Sequence, residues 1–145
     1  MKVTRRVAHP ATKTTVRELM AKSIVCGDPR QSLVEAAAQM RAKRISALAV
    51  LDADAIVGIV TERDLLRAIA DGRQPGATHV SQYMTHSPRT IEAGEPAAKA
   101  AEVMIRHRVR HLPVTDQGRL IGFLSARDLL ALTPWPRHLP IGESW

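Results

Sequence analysis

With a single cysteine, Cys26, the 145-residue chain can form no internal disulfide, and a reducing compartment fits it. Aromatic residues are nearly as scarce: two Trp, one Tyr and one Phe. A buried core must therefore be assembled from Leu, Ile, Val, Ala and Met. No apolar run approaches the roughly 20 residues that span a bilayer, so no transmembrane helix is expected. The basic stretch Met1 to Thr15 lacks the apolar segment of a secretion signal. Acidic residues are outnumbered, 14 against 21 Lys and Arg, leaving a formal net charge of +7. That balance favours anionic partners such as nucleotides, nucleic acid or a membrane surface. The expectation is a soluble, cytoplasmic protein of one compact domain.

What the chain does contain is a repeat. Gly58-Ile-Val-Thr61-Glu-Arg63-Asp64-Leu-Leu66 returns, 64 residues later, as Gly122-Phe-Leu-Ser125-Ala-Arg127-Asp128-Leu-Leu130. The same offset pairs Met20 with Met84, Ala36 with Ala100, Met40 with Met104, Arg44 with Arg108, and Leu48 with Leu112, without a gap. Two copies of one structural unit explain this. Units of about 60 residues are marginal alone, so the copies are expected to pack together and share burial. The chain divides into a basic tail (1–14), a first copy (15–71), a Gly/Pro linker (72–78), a second copy (79–133) and a tail (134–145).

Local signals give each copy the same order. Thr15-Val-Arg-Glu18 and Ser32-Leu-Val-Glu35 have capping-box spacing, the first before a short helix and the second before a helix to about Lys43. Ser23 to Gly27 reads as extended. Ile45–Leu51 and Ile56–Val60 read as strands around an Asp52-Ala-Asp54 turn, and Thr61 caps a helix from Glu62 to about Ala70. In the second copy, a short helix over Val80–Met84 precedes an extended Pro88–Ile91. A helix from Pro96 to about His107 follows, then strands at His111–Thr115 and Leu120–Leu124 around an Asp116-Gln-Gly118 turn. A last helix runs from Ser125 to before Pro134. Each copy is strand–helix–strand–strand–helix, which makes the fold class α/β (α+β).

The candidate chemistry lies where a buried strand and a Gly lead into Ser/Thr-x-Arg-Asp. Read structurally, Thr61 and Ser125 are helix caps and Asp64 and Asp128 favour the positive helix end. Read functionally, free N–H groups at a helix start suit phosphate, the Asp can accept two ribose hydroxyls, and Arg63 or Arg127 can pair with phosphate. The two readings are compatible, since capping and ligand binding use the same location. The densest basic cluster is Arg106, His107, Arg108, Arg110 and His111. No aromatic residues interleave with it, which weakens a case for single-stranded nucleic acid. Cys26 has no activating base nearby in sequence and reads as a buried thiol. His107 and His111 are four apart, but the strand at Pro113 breaks a shared helical face, so no metal site is expected.

The ordered set of motifs, found twice, resembles a tandem of CBS (cystathionine-beta-synthase) domains, a Bateman module, over about residues 15–132. Met20 and Met84, Ala36-Ala37…Met40 and Ala100-Ala101…Met104, Leu112-Pro113-Val114 and the two Gly-…-Arg-Asp stretches carry the resemblance. It implies two β-α-β-β-α repeats related by a pseudo-two-fold, with clefts between them for adenosine compounds: AMP, ADP, ATP, NAD or S-adenosylmethionine. By position it implies that Thr61 and Ser125 bond phosphate or ribose, and that Asp64 and Asp128 hold ribose hydroxyls. It also implies that Thr90 lines an adenine pocket, with Cys26 at the equivalent place, and that Arg110 and His111 neutralise phosphate. The first copy has Ser46 and Ala47 there, and Ala49 for Pro113, which implies unequal sites. Which Asp shares a cleft with His111 is open. No obligatory cofactor is implied, and such tandems commonly pair into a flat disc through their helices.

Three function classes remain. A regulatory sensor of adenine nucleotides is favoured; a ligand-free scaffold that forms a homodimer and engages an unknown target protein is the alternative. Nucleic-acid binding through the basic cluster is the least supported of the three. No nucleophile–base pair or metal set is visible, so the expectation is a non-catalytic protein.

Overall fold

The computed structural model describes residues 13–132, so the expected tail at 134–145 and most of the one at 1–14 lie outside the described residues. The elements follow in the order α1 (Val16–Leu19), β1 (Cys26–Gly27), α2 (Leu33–Lys43), β2 (Ala47–Asp52), β3 (Ala55–Thr61), α3 (Glu62–Ala70), β4 (Thr85–His86), β5 (Ile91–Glu92), α4 (Ala97–His107), β6 (His111–Asp116), β7 (Arg119–Ser125) and α5 (Ala126–Leu129). The two capping boxes form as the sequence dictates. Thr15 N–H donates to Glu18 Oε2 at 2.7 Å, and Ser32 N–H donates to Glu35 Oε2 at 2.7 Å. The β2–β3 and β6–β7 hairpins turn on two residues of positive φ, Ala53-Asp54 and Gln117-Gly118, the geometry whose twist suits a two-residue connection.

Two expected helices are shorter in the structure. Val80–Gln82 is a single 3-10 turn, and the last helix is one α-turn followed by a 3-10 turn at Leu130–Leu132. The strands β3, β6 and β7 run one or two residues beyond the expected bounds, because the ladder continues past the apolar residues that mark it in sequence. By contrast, β2 starts two residues later than expected, and the extended segments at 23–27 and 88–91 pair over only two residues each, as β1 and β5.

One sheet has the order β1-β2-β3-β4 and the other β5-β6-β7. In each, a parallel pair (β1 with β2, β5 with β6) is followed by an antiparallel hairpin. The fourth strand of the first sheet, β4, comes from the head of the second copy and pairs antiparallel with β3. Its counterpart in the second sheet is the bridge from Ala21 to Phe123. The heads are thus exchanged. Val80, Tyr83 and Met84 are buried with Leu33, Met40, Leu48 and Val60, whereas Val16 and Met20 are buried with Ile91, Met104, Leu112 and Leu124. Reciprocal backbone bonds fasten the exchange: Leu33 N–H donates to Thr78 O at 2.9 Å and Ala97 N–H to Thr14 O at 2.8 Å.

This exchange explains two repeat glycines. A Cβ at Gly58 would overlap the Met84 thioether and stand 3.0 Å from Thr85 O; one at Gly122 would meet Met20 and stand 3.0 Å from Ala21 O. Only a residue without a Cβ lets the foreign head lie this close to the strand. Burial is shared by swapping a segment, and the two cores stay separate.

Candidate functional site

Because each head starts on one sheet and ends on the other, the stretches between them cross the space separating the repeats. Residues 23–25 lead from the Ala21–Phe123 bridge to β1 beside β2, and 87–89 lead from β4 to β5 beside β6. They wall one continuous cleft of about 990 Å³ that includes the starts of α3 and α5 and the starts of β2 and β6. Seven arginines and two histidines line it, against three carboxylates. Among the described residues, a net positive charge is therefore gathered at a concave surface, where a low-dielectric wall strengthens the field.

Thr61, Arg63, Asp64, Arg110, His111, Ser125, Arg127 and Asp128 all line this cleft. Cys26 and Thr90 do not. The crossing stretch reaches the cleft through Ser23, Ile24 and Val25 in one copy and Ser87, Pro88 and Arg89 in the other. By Cys26 the chain has joined the sheet beside Ala49, and Thr90 is exposed just before β5. Half-burial also pushes the Cys26 thiol up, which disfavours the reactive thiolate.

At the start of α3, Asp64 Oδ2 accepts the Thr61 N–H at 2.9 Å and the Thr61 hydroxyl at 3.3 Å. At the start of α5, Asp128 Oδ2 accepts the Ser125 N–H at 2.7 Å and the Ser125 hydroxyl at 3.0 Å. These are the capping interactions expected of Ser/Thr-x-x-Asp, and each fixes a carboxylate at the edge of the cleft. Between them lies a link that joins the repeats: Ser46 Oγ and His111 Nε2 are 2.9 Å apart. Ser46 C=O accepts the first N–H of α3, from Glu62, and Arg110 C=O accepts that of α5, from Ala126. His111 thus stands between the two helix starts, within the field of both Glu62 and Asp128.

Burial lowers the His111 pKa below its usual value, and the Arg110 charge lowers it further, while Glu62 and Asp128 partly oppose them. The shift favours the neutral ring, which lines the cleft hydrogen-bonded to Ser46 and tilted against Phe123 at 6.0 Å between centroids. A neutral imidazole amid guanidinium groups gains most from an incoming anion, which would stabilise its protonated form.

The sequence reading did not single out Arg44, Arg67, Arg89 or Ser46 as lining residues. Arg44 and Arg108 had left a signal. They match in the repeat, and each ends its helix in the left-handed region, at φ 53° and 54°, where Gly is the usual residue. An arginine kept there in both copies at a backbone cost of about 1–2 kcal/mol marks the side chain as useful. Among the described residues, no group of three or more His, Cys, Asp or Glu could hold a metal ion.

A CBS-domain family model matches residues 16–71 and again residues 80–133. The chain belongs to the CBS-domain family. Its fold is that of solved CBS pairs. A CBS-domain protein from Burkholderia ambifaria, assigned to signal transduction, superposes with a TM-score of 0.82 at 34% identity, covering 89% of this chain and 100% of that one. A CBS-domain protein from Pyrobaculum aerophilum in complex with AMP is 30% identical, with a TM-score of 0.72 over 79% of this chain and 89% of that one. A CBS pair holding 5′-methylthioadenosine and S-adenosyl-L-methionine is 26% identical, with a TM-score of 0.76 over 82% of this chain and 98% of that one. Among curated relatives, the CBS domain-containing protein YhcV of Bacillus subtilis is 31% identical over 80% of this chain and 83% of its own length. The chain spans 63% of a Methanopyrus kandleri relative and 24% of one from Arabidopsis thaliana. No helix among the described residues is long and apolar enough to cross a membrane.

Proposed function

We propose that this CBS pair is a non-catalytic regulatory module that binds an adenosine-containing nucleotide in the cleft between its repeats. The observation that carries the reading is the pairing of cap-fixed carboxylates with arginines around one concave space. In this reading, an Asp of the repeat motif accepts ribose hydroxyls. Arg63, Arg127, Arg110 and His111 neutralise phosphate, and the Ser/Thr hydroxyls at Thr61 and Ser125 complete its hydrogen bonds. The adenosine ligands of the two complexed CBS neighbours support the ligand class. A cluster of seven arginines around a concave space also suits a small anion better than a duplex, whose phosphates call for an extended basic surface.

The signal in this scheme is a population shift. The Ser46–His111 link and the crossing stretches join the two repeats, so a ligand that bonds to both sides prefers one spacing of the repeats over another. An output through association between copies is supported by Leu66 and Ile69, which lie 66% and 60% exposed, one turn apart on α3. We propose that a second copy of the chain covers this face, in the manner in which CBS tandems pair through helices.

A thermal-shift screen against AMP, ADP, ATP, NAD, NADH and S-adenosylmethionine tests the ligand reading. Binding to the native state raises the melting temperature by mass action. A concentration-dependent rise with one or two of these compounds supports the sensor. Absence of any shift, with protein stripped of bound ligand, would favour the scaffold.

A further inference from the structure

The two aspartates of the repeat share a motif but not an environment. The Asp64 side chain is only 8% exposed, and both of its oxygens are taken: Oδ2 by Thr61, and Oδ1 by Arg67 Nη1 at 3.2 Å. Arg67, on the next turn of α3, also lines the cleft. An exposed ion pair alone is easily displaced. This one is supported from a second side. The Arg67 guanidinium lies over the Tyr83 ring at 5.5 Å, and the Tyr83 hydroxyl donates to Asp71 Oδ2 at 2.7 Å. Tyr83 itself is buried and belongs to the exchanged head.

The second repeat serves as an internal control. At the 64-residue offset, Arg67 corresponds to Ala131 and Tyr83 to Leu19, so neither the cation nor its supporting ring has a counterpart. Asp128 is half-buried. Its Oδ2 holds Ser125, and its Oδ1 has no hydrogen-bond partner among the described residues. Each carboxylate oxygen offers two acceptor sites, so with Oδ2 already holding two donors, both hydroxyls of a ribose can be received only if both sites of Oδ1 are open; at Asp64 the Arg67 guanidinium holds one of them. Asp128 meets that condition and Asp64 does not.

We infer that Arg67 occupies the ribose position of the first repeat, so that each chain takes one nucleoside, at Asp128, and not two. The inference rests on the proposed adenosine reading and adds to it a stoichiometry and the residue that sets it. Arg67 acts here as a specificity determinant that fills a site from within.

Calorimetric titration of AMP into the full chain tests it. Wild type is expected to bind one AMP per chain, and Arg67→Ala two, because Asp64 Oδ1 is released. Arg67→Met, which keeps an aliphatic stem over Tyr83 and has no donor for Asp64, is expected to behave as Arg67→Ala does and guards against a folding defect. Asp128→Asn is expected to lose binding by at least tenfold, and Arg67→Met with Asp128→Asn to regain one site. Two sites in wild type overturn the inference and leave the adenosine reading standing. A single site in Arg67→Ala with weakened affinity also overturns it, by making Arg67 a phosphate ligand. No binding of AMP or any other adenosine compound to wild type or to the Arg67 variants overturns the adenosine reading, and this inference with it.

Discussion

At Asp128, one carboxylate oxygen closes the capping box with Ser125, the other accepts no hydrogen bond from the described residues, and the residue lines the cleft, so binding and folding are separable here. Asp128→Ala is expected to weaken nucleotide binding by about 1.5–3 kcal/mol, the typical worth of a hydrogen bond to a charged group. Its cost in folding is expected to be only about 1 kcal/mol, that of a lost cap. Calorimetry beside chemical denaturation reads the two effects, and a loss of stability without a loss of affinity would remove Asp128 from the site. His111 makes a prediction of the opposite kind, on stability against pH. Its pKa is lowered in the fold, from a usual value of 6.5, by burial and by Arg110. Between the lowered value and 6.5 the unfolded chain therefore holds more protons than the folded one, and stability rises with pH. The contribution is full above about 6.5 and is lost as pH falls below it. Melting temperatures of wild type and His111→Gln, compared from about pH 7.5 to pH 5, are expected to converge as the pH falls. A constant difference between the two would show that the ring is not held neutral.

The ends of α2 and α4 carry a further test, because Arg44 and Arg108 sit in backbone conformations that glycine adopts more easily. Replacing either by Gly removes an αL cost of about 1–2 kcal/mol, and returns about 0.4–1 kcal/mol of chain entropy and part of a favourable dipole charge. Stability is expected to stay level or rise by up to about 1 kcal/mol, while affinity for AMP falls several-fold and affinity for adenosine changes little. Thermal melts and titrations with both ligands check this, and equal losses for the two ligands would place the arginines away from the phosphate. This element level is also where the sequence was most legible. Capping boxes at Thr15 and Ser32, the turns at Ala53-Asp54 and Gln117-Gly118, and the bounds of α2, α3 and α4 all follow from local chemistry that leaves a mark within a few residues. Most of the cleft was legible for the same reason, since Ser/Thr-x-Arg-Asp is one turn of chain. What escaped are relations between distant residues. The Ser46–His111 link and the support of Arg67 by Tyr83 are made by folding and have no local pattern. Cys26 and Thr90 were misplaced by a few residues because the crossing stretch, and not the strand after it, faces the cleft.

At the scale of the whole molecule, the unit that repeats in sequence is not the unit that packs. The first core takes Val80, Tyr83 and Met84 from the head of the second copy, and gives up Val16 and Met20 to the second core. Every buried residue of the first core therefore falls between positions 33 and 84, whereas the second core needs residues from both ends of the described chain. A fragment cut at the repeat boundary, 13–72, keeps α2, β2, β3 and α3 but lacks three buried side chains. Each of these contributes about 1.5–3 kcal/mol when fully buried, a combined loss comparable to the whole stability of a small domain. A fragment cut at the packing boundary, 22–86, loses nothing from that core and keeps β4 on the edge of its sheet. Its length is within the range at which single domains fold alone. The expectation is that 22–86 shows a cooperative melt by circular dichroism and 13–72 does not, although the two differ little in length and share residues 22–72. If 13–72 folded as well as 22–86, the exchanged head would be an accessory to the first core and not part of it. The cleft depends on the same exchange, because its walls are the stretches that carry each head from one sheet to the other. Separating the repeats at their sequence boundary would therefore remove the binding space together with the core.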